Sequence, residues 1–502
     1  MKAFLLYKDQ DFDLEQLLPS NEAELTQDLD LETLFTAMVD DDDFLYDVVS
    51  KVVLSSAIDI NTIIYRQDII KDCLKNPSIV RELYQITVDS VENKKRGWMG
   101  IFSTNPSSVL YDAVELVQMF VGLLNKIKNI ANEHANQFKS EGFTTFFKMI
   151  KNELNDEYFT SVQNHLNELK FRRGVLISAE LGKGNEGTNY ILRKPNDKDP
   201  NWIKRILALK NPEYSFYIHP RDEHGSRALY ELKERGINLV ANALGQSADH
   251  IESFFNMLRI ELAFYVGCLN LFEQLSLIGE TVSFPLPVTA KERRHSFHGL
   301  YDVCLALTKK QKIVGNEVDA DNKNLIIITG ANQGGKSTFL RSIGLAQMMM
   351  QCGMFVPAAS FCANLCEGIF THYKRKEDAT MESGKLDEEL SRMSTIVDNI
   401  TPNCLILFNE SFSATNEREG SEIARQITSA LLEKHIKVFF VTHQYDFAHG
   451  FYSKKLKNAI FLRAQRKGGG GRTYKIVEGE PLQTSYGEDI YHTVFGNEIK
   501  YF

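Results

Sequence analysis

The sequence predicts a protein in two parts: a mostly helical region and, from about residue 281, an α/β domain built on a parallel sheet. Three observations carry this. Four short apolar runs, Leu325–Thr329, Cys404–Phe408, Val438–Thr442 and Ala459–Leu462, alternate with helical segments, as strands buried on both faces do. The first run passes through a glycine-rich turn into a helix. Upstream, long stretches carry apolar residues three and four apart, as in Leu116, Met119, Leu123 and Ile127.

Composition sets outer bounds. A chain of 502 residues accommodates roughly two to four domains. Its 43% hydrophobic and 25% charged residues are ordinary for a globular protein. No uninterrupted apolar run approaches the roughly 18–20 residues that span a bilayer, and charge follows the short apolar start at once. The expectation is a cytoplasmic protein with no membrane partner. Seven scattered cysteines suit a reducing compartment, and Cys362 and Cys366 lack the second pair that a zinc site needs. A net charge of −9 argues against a uniformly basic nucleic-acid binder but leaves room for a local basic surface.

Along the chain, residues 1–105 read as a helical N-terminal region. The run Asp40–Asp43 caps or precedes a helix beginning near Phe44. The segment 94–102 breaks the helical pattern as a loop with positive charge and aromatics. Long helices are expected at 106–135, 143–171 and 226–277, within regions 106–171 and 222–280. Between them, 172–221 has another texture: two strands joined by the turn Gly182–Gly187. From Lys170 to Arg221, eleven Lys/Arg stand against five Asp/Glu, a balance of +6. That suits contact with a phosphate backbone, or an ordinary polar surface. Gly468–Gly471 reads as a hairpin loop between strands. The chain has no internal repeat.

The pattern G-x-x-x-x-G-K-[ST] runs from Gly330 to Ser337, between a strand and a helix. That is the context of a P-loop. Its glycines let backbone N–H groups turn inward on phosphate, and the helix N-terminus favours anions. Gly330, Asn332, Gly334, Gly335 and Thr338 would form the nucleotide cradle. Lys336 would reach the β- and γ-phosphates of ATP, and Ser337 would hold Mg²⁺. A second strand ends in Asn409-Glu410. The magnesium position usually filled by Asp is the neutral Asn409, and Glu410 stands where a base for the attacking water is expected. A third strand end places His443 near the γ-phosphate edge.

These residues resemble the MutS family of DNA mismatch-repair ATPases. The family's P-loop reads G-P-N-M-G-G-K-S-T; here Gly330–Thr338 reads GANQGGKST. The family's D-E-x-G-R-G-T-S-T-x-x-G is matched in spacing by Asn409–Gly420, its T-H-Y by Thr442-His443-Gln444, and its S-Y-G by Ser485-Tyr486-Gly487. Ile313-Val314-Gly315-Asn316 is similar to the stretch supplying the adenine platform, with Ile313 in place of an aromatic. The similarity is strong over 310–490. Tyr65–Asp72 resembles the start of the family's helical core.

The resemblance implies an ABC/MutS-like P-loop NTPase domain at 281–502 behind an all-α core and lever region. The segment 172–221 would be a small β-rich clamp-like insertion. It implies a homodimer in which a loop matching 377–388 closes the partner's ATP. There Ser383 and Glu388 keep the family residues, while Gly384 and Lys385 replace a threonine and a phenylalanine. Too few residues precede the core for the family's mismatch-reading wedge. The expected function is an ATPase whose ATP-gated clamp holds DNA through 170–221 by backbone and shape, in mismatch repair or a related recombination role. The alternative is an ATP-binding switch that recruits a protein without touching DNA. An ABC- or SMC-type ATPase is disfavoured because no leucine-serine-glycine-glycine signature is present.

Overall fold

The computed structural model describes residues 1–97, 105–172, 174–194, 214–375, 384–466 and 471–483. In chain order, helices α1 (Glu22–Leu29), α2 (Leu31–Val39), α3 (Asp43–Leu54), α4 (Ile60–Lys75), α5 (Pro77–Gly97), α6 (Pro106–His134), α7 (Glu141–Glu153) and α8 (Asp156–Leu169) come first. A hairpin β1 (Leu176–Leu181) and β2 (Gly187–Arg193) precedes α9 (Glu223–Ile278), a helix of 56 residues. The remainder is mixed α/β: β3 (Leu286–Val288), β4 (His295–Leu300), α10 (Val303–Lys309), β5 (Asn316–Asp319), β6 (Leu325–Gly330), α11 (Lys336–Gln351), β7 (Ser360–Asn364) and β8 (Ile369–Tyr373). It continues with α12 (Lys385–Asn399), β9 (Leu405–Asn409), α13 (Glu417–Glu433), β10 (Lys437–Val441), α14 (Tyr445–Tyr452), β11 (Ala459–Arg466) and β12 (Arg472–Glu478).

Two compact units divide the chain. The first comprises Met1–Ala3, Ser78–Phe138 and Phe143–Ile260. Its core is the stripe that the helical spacing predicts. Leu110, Val114, Val117, Phe120, Leu124 and Ile127 of α6 are buried, and Phe120 stacks on Phe255 of α9 with ring centres 5.5 Å apart. The long helix expected at 143–171 is two helices. Leu154 turns into the core, and Asn155 caps α8 by accepting the N–H of Tyr158 at 2.8 Å. The two predicted strands pair as an antiparallel hairpin with Leu176 opposite Arg193. Gly236 lets α9 approach that hairpin, since a Cβ there would come within 2.4 Å of the Ile177 side chain.

The expectation that nothing approaches bilayer length needs correction. Pro106–Gln137 and Glu223–Ile278 each contain an 18-residue window apolar enough to cross a bilayer, by length and composition. Half of the most apolar window in the first and 72% in the second are buried inside the protein, as in core helices.

The second unit comprises Phe4–Pro77, Lys139–Gly142 and Glu261–Phe502. Its six-stranded sheet has the order β12-β11-β6-β10-β9-β8. All neighbours are parallel except β11 with β12. Leu325, Ile326, Ile327 and Ile328 of β6 are fully buried, which explains the unbroken apolar run. Phe408 of β9 stacks on Phe440 of β10, which packs against Phe447 of α14. A second sheet, β3-β7-β4-β5, was not foreseen. At the N-terminal end, Asp42 caps α3 through the N–H groups of Phe44 and Leu45, as the acidic run predicted. Residues 94–97 of the expected loop instead continue helix α5, while 98–102 and Gly468–Gly470 lie outside the described residues.

Candidate nucleotide site

Strand β6 lies between β10 and β11, and its carboxyl end opens into a loop, 331–335, before α11 begins. Ligands bind at such strand ends in open α/β sheets. The loop needs its glycines. Gly330 and Gly335 have φ of 111° and 89°, a region L side chains avoid. A Cβ on Gly334 would stand 2.8 Å from the carbonyl oxygen of Ala331 and 2.7 Å from the Cβ of Ala464.

Lys336 opens α11 and is only 5% exposed. Its ammonium donates to the carbonyl oxygens of Gly330 at 3.0 Å and Ala331 at 3.1 Å. Burial lowers its pKa to about 8, against the pull of Glu410. The next residue, Ser337, donates its hydroxyl to Oδ1 of Asn409 at 2.9 Å, joining the start of α11 to the end of β9. Glu410 follows with φ 57°, fixed by its N–H on the carbonyl of Val441 at 2.9 Å. That backbone turn aims its carboxylate at His443, whose Nε2 is 2.7 Å from Oε1. The contact holds the Glu410 carboxyl below its ordinary value, with Lys336 adding to the effect and burial opposing it. Beyond, Gln444 ties the end of β10 to the loop after β9 through the carbonyl of Phe412 at 2.9 Å.

The structure brings these residues around one cavity of about 550 Å³. Asn332, Gly334, Gly335, Lys336, Ser337 and Thr338 line it, together with Glu410 and Ile313. Gly330, Asn409 and His443 stand behind that lining rather than in it. Sequence reasoning missed Tyr474, Asp302, Lys309 and Lys312, which also line the cavity. Tyr474 comes from β12 and is held by its backbone, the carbonyl accepting from the Asn316 side chain at 3.3 Å. Oδ1 of the buried Asn316 also accepts the Ile476 N–H at 2.8 Å, tying β5 to β12. Ser383 and the triplet Ser485-Tyr486-Gly487 lie outside the described residues. Gly384 stands at the N-cap of α12, and Lys385 begins it.

The cavity suits a nucleoside triphosphate with magnesium. Lys336 is a buried ammonium whose hydrogen-bond partners are two neutral carbonyls of its own loop, so an anion would be a better partner. Ser337 and Asn409 offer two neutral oxygens, a set that suits a hard cation whose charge is met by phosphate. Among the described residues no cluster of three or more His, Cys, Asp or Glu could hold a metal unaided. Cys362 is half-buried, and Cys366 is buried beside Gln347 and Asn364.

Comparisons with known proteins fit this division. Residues 58–278 match the family model for the MutS2 N-terminal domain, and residues 326–495 match that for MutS domain V. The DNA mismatch repair protein MutS of Thermotoga maritima is 26% identical over 296 residues, covering 59% of this chain and 37% of that protein. The protein of the same name from Clostridium kluyveri is 27% identical over 291 residues, 54% of this chain and 33% of its own length. The human MutS protein homolog 4 is 25% identical over 322 residues, 60% of this chain and 32% of its own. The matches thus span about a third of the length of these relatives. With one family model on the helical region, a second on the α/β domain, and the strand-loop-helix cavity inside the second, the chain belongs to the MutS family.

Proposed function

We propose that this protein is an ATPase that holds DNA and couples nucleotide turnover to that hold, in mismatch repair or a related recombination role. One observation carries the enzymatic half: Lys336, Ser337 and Glu410 line a single cavity, with Asn409 bonded to Ser337 and His443 bonded to Glu410 just outside that lining. Lys336 exchanges its loop carbonyls for phosphate oxygens and stabilises charge that develops in the transition state. Ser337 and Asn409 would hold magnesium, which would shield the phosphates. Glu410 orients the attacking water, and His443 fixes the Glu410 carboxylate. Ile313 and Tyr474 flank the base.

The DNA half draws on the relatives named for mismatch repair and on the local basicity of 170–221. The protein works as a homodimer that closes on ATP and reopens on hydrolysis, with the arms and hairpin gripping the duplex backbone. A reading of DNA by shape follows, since phosphate contacts carry no base sequence.

The test is ATP hydrolysis with and without duplex and branched DNA, at several salt concentrations. Stimulation by DNA that fades steeply as salt rises is expected. ATP binding without any DNA binding at low salt would instead favour a switch that recruits protein.

A further inference from the structure

The corner between α1 and α2 sits against α11, which carries Ser337, and against β8, the neighbour of the strand that ends in Asn409. Arg341 lies one turn along α11 from Ser337. Its Nε donates to Oδ2 of Asp302 at 2.6 Å, and its Nη1 to Oδ2 of Asp30 at 3.2 Å. Asp302 is a buried cavity residue that also caps α10 through the N–H of Leu305 at 3.0 Å. Asp30 occupies the corner itself, with φ 58°, and its other carboxylate oxygen accepts the Thr33 hydroxyl at 2.8 Å. Next to it, Leu29 lies against α11 so closely that a Cβ on Gly344 would be 2.7 Å from its side chain. The same corner reaches the other side. Buried Asp28 accepts from Arg375, which follows β8, and Asn21 donates to the carbonyl of Ile369 at 2.8 Å. Strand β8 in turn holds the end of β9: Tyr373 pairs with Asn409, and the N–H of Lys374 donates to the carbonyl of Asn409 at 3.0 Å.

We propose that the α1–α2 corner is a positioning element: through Asp30 on Arg341 and Asp28 on Arg375 it sets the spacing between Ser337 and Asn409. It rests on the nucleotide reading above and goes beyond it. Ser337 and Asn409 belong to different elements, and their own contact is a single neutral hydrogen bond, worth about 1 kcal/mol. The corner adds a charged hydrogen bond to α11 and another to the residue after β8, the strand paired with β9, together with close packing on α11. A hard cation is sensitive to ligand spacing, and residues that orient its ligands affect its affinity by about 10- to 100-fold. Arg341 is suited to the task because its planar fork spans two carboxylates at once.

The experiment measures binding of a fluorescent ATP analogue to the full chain with magnesium and with EDTA. The readout is the ratio of the two affinities, not turnover. Asp30→Asn keeps the shape and removes the charge. The expected result is a magnesium gain reduced by about 10-fold or more, with EDTA affinity near wild type. Arg341→Lys, which keeps a cation but spans only one carboxylate, should show the same loss and serves if Asp30→Asn does not fold. Asp30→Glu, which restores the charge, should recover part of the gain. Variants that melt earlier yet keep the wild-type gain would overturn the positioning role and leave the corner a scaffold. A wild-type protein with no magnesium gain at all would overturn the nucleotide reading itself, and the positioning role with it.

Discussion

His443 holds Glu410: Nε2 of the histidine lies 2.7 Å from Oε1 of the carboxylate, so the end of β10 orients a group that emerges from β9. The hydrogen bond is the main reason the Glu410 carboxyl sits below its ordinary value. Removing it in His443→Ala should let that value rise. The acid limb of the hydrolysis profile should then move to higher pH, with turnover reduced at the optimum. The stability effect has a defined sign. A depressed carboxyl contributes fully above its unfolded value and loses that contribution as pH falls through the folded one. Urea midpoints of wild type and His443→Ala should therefore differ at neutral pH and converge in acid. Identical pH–rate profiles would show that His443 does not tune Glu410.

Lys336 predicts a proton signature. Burial brings its pKa down to about 8, so near that pH part of the population is neutral. A triphosphate stabilises the ammonium, and binding should take up protons. Calorimetry at pH 8 in buffers of different ionisation enthalpy measures this directly. Lys336→Ala should abolish the uptake and weaken ATP affinity by about 10- to 100-fold, the size of one or two charged hydrogen bonds. Unchanged affinity would remove Lys336 from the site.

The loop geometry predicts a sharp substitution effect. In Gly334→Ala the new Cβ meets the Ala331 carbonyl at 2.8 Å and the Ala464 Cβ at 2.7 Å. A carbonyl in the same loop and a neighbouring strand must move, at a cost of about 1–3 kcal/mol. Thermal melting should show a lowered transition, and nucleotide titration a loss of binding beyond what the melting shift explains. Gly245→Ala, on α9, is the control, because its Cβ would meet nothing within 4 Å.

How much of this was legible in sequence depended on distance along the chain. Lys336 and Ser337 were readable because one local pattern fixes strand, turn and helix together. Glu410 and His443 were readable as strand ends, but their pairing was not, because it depends on the register of β9 beside β10. Tyr474 and Asp302 reach the cavity from other parts of the chain and carry no local motif. The second sheet escaped notice for a different reason. Strand β3 has only three residues, one of them a proline, and β4, His295–Leu300, puts the polar His295 at a buried position. The helix break at Asn155 was hidden by apolar spacing that continues across it, with Leu154 and Leu166 both buried.

The hairpin β1–β2 predicts a counterion effect. Lys183 and Lys194 are exposed on it, Lys194 within 3.7 Å of Glu168 but 75% exposed along its side chain. If each contacts a DNA phosphate, Lys183→Ala and Lys194→Ala should each reduce the slope of log affinity against log salt by about 0.9. Affinity should fall alike for duplexes of different sequence. Slopes equal to wild type would place the DNA path elsewhere on the protein.

Asn409 is where this chain differs most from the P-loop pattern, and the difference is testable in the favourable direction. Its Oδ1 accepts the Ser337 hydroxyl, a role a carboxylate oxygen fills equally well, so Asn409→Asp keeps the hydrogen bond and adds a charge. The carboxylate would bind a hard cation more strongly than the amide. It would also lie close to the phosphates of a bound nucleotide and repel them when no cation is present. The two effects separate by condition. The magnesium concentration for half-maximal hydrolysis should drop by about 10-fold, while nucleotide affinity in EDTA weakens. If half-saturation stayed where wild type has it, Asn409 would be a partner of Ser337 only, and the metal would draw its ligands from phosphate, water and the serine hydroxyl.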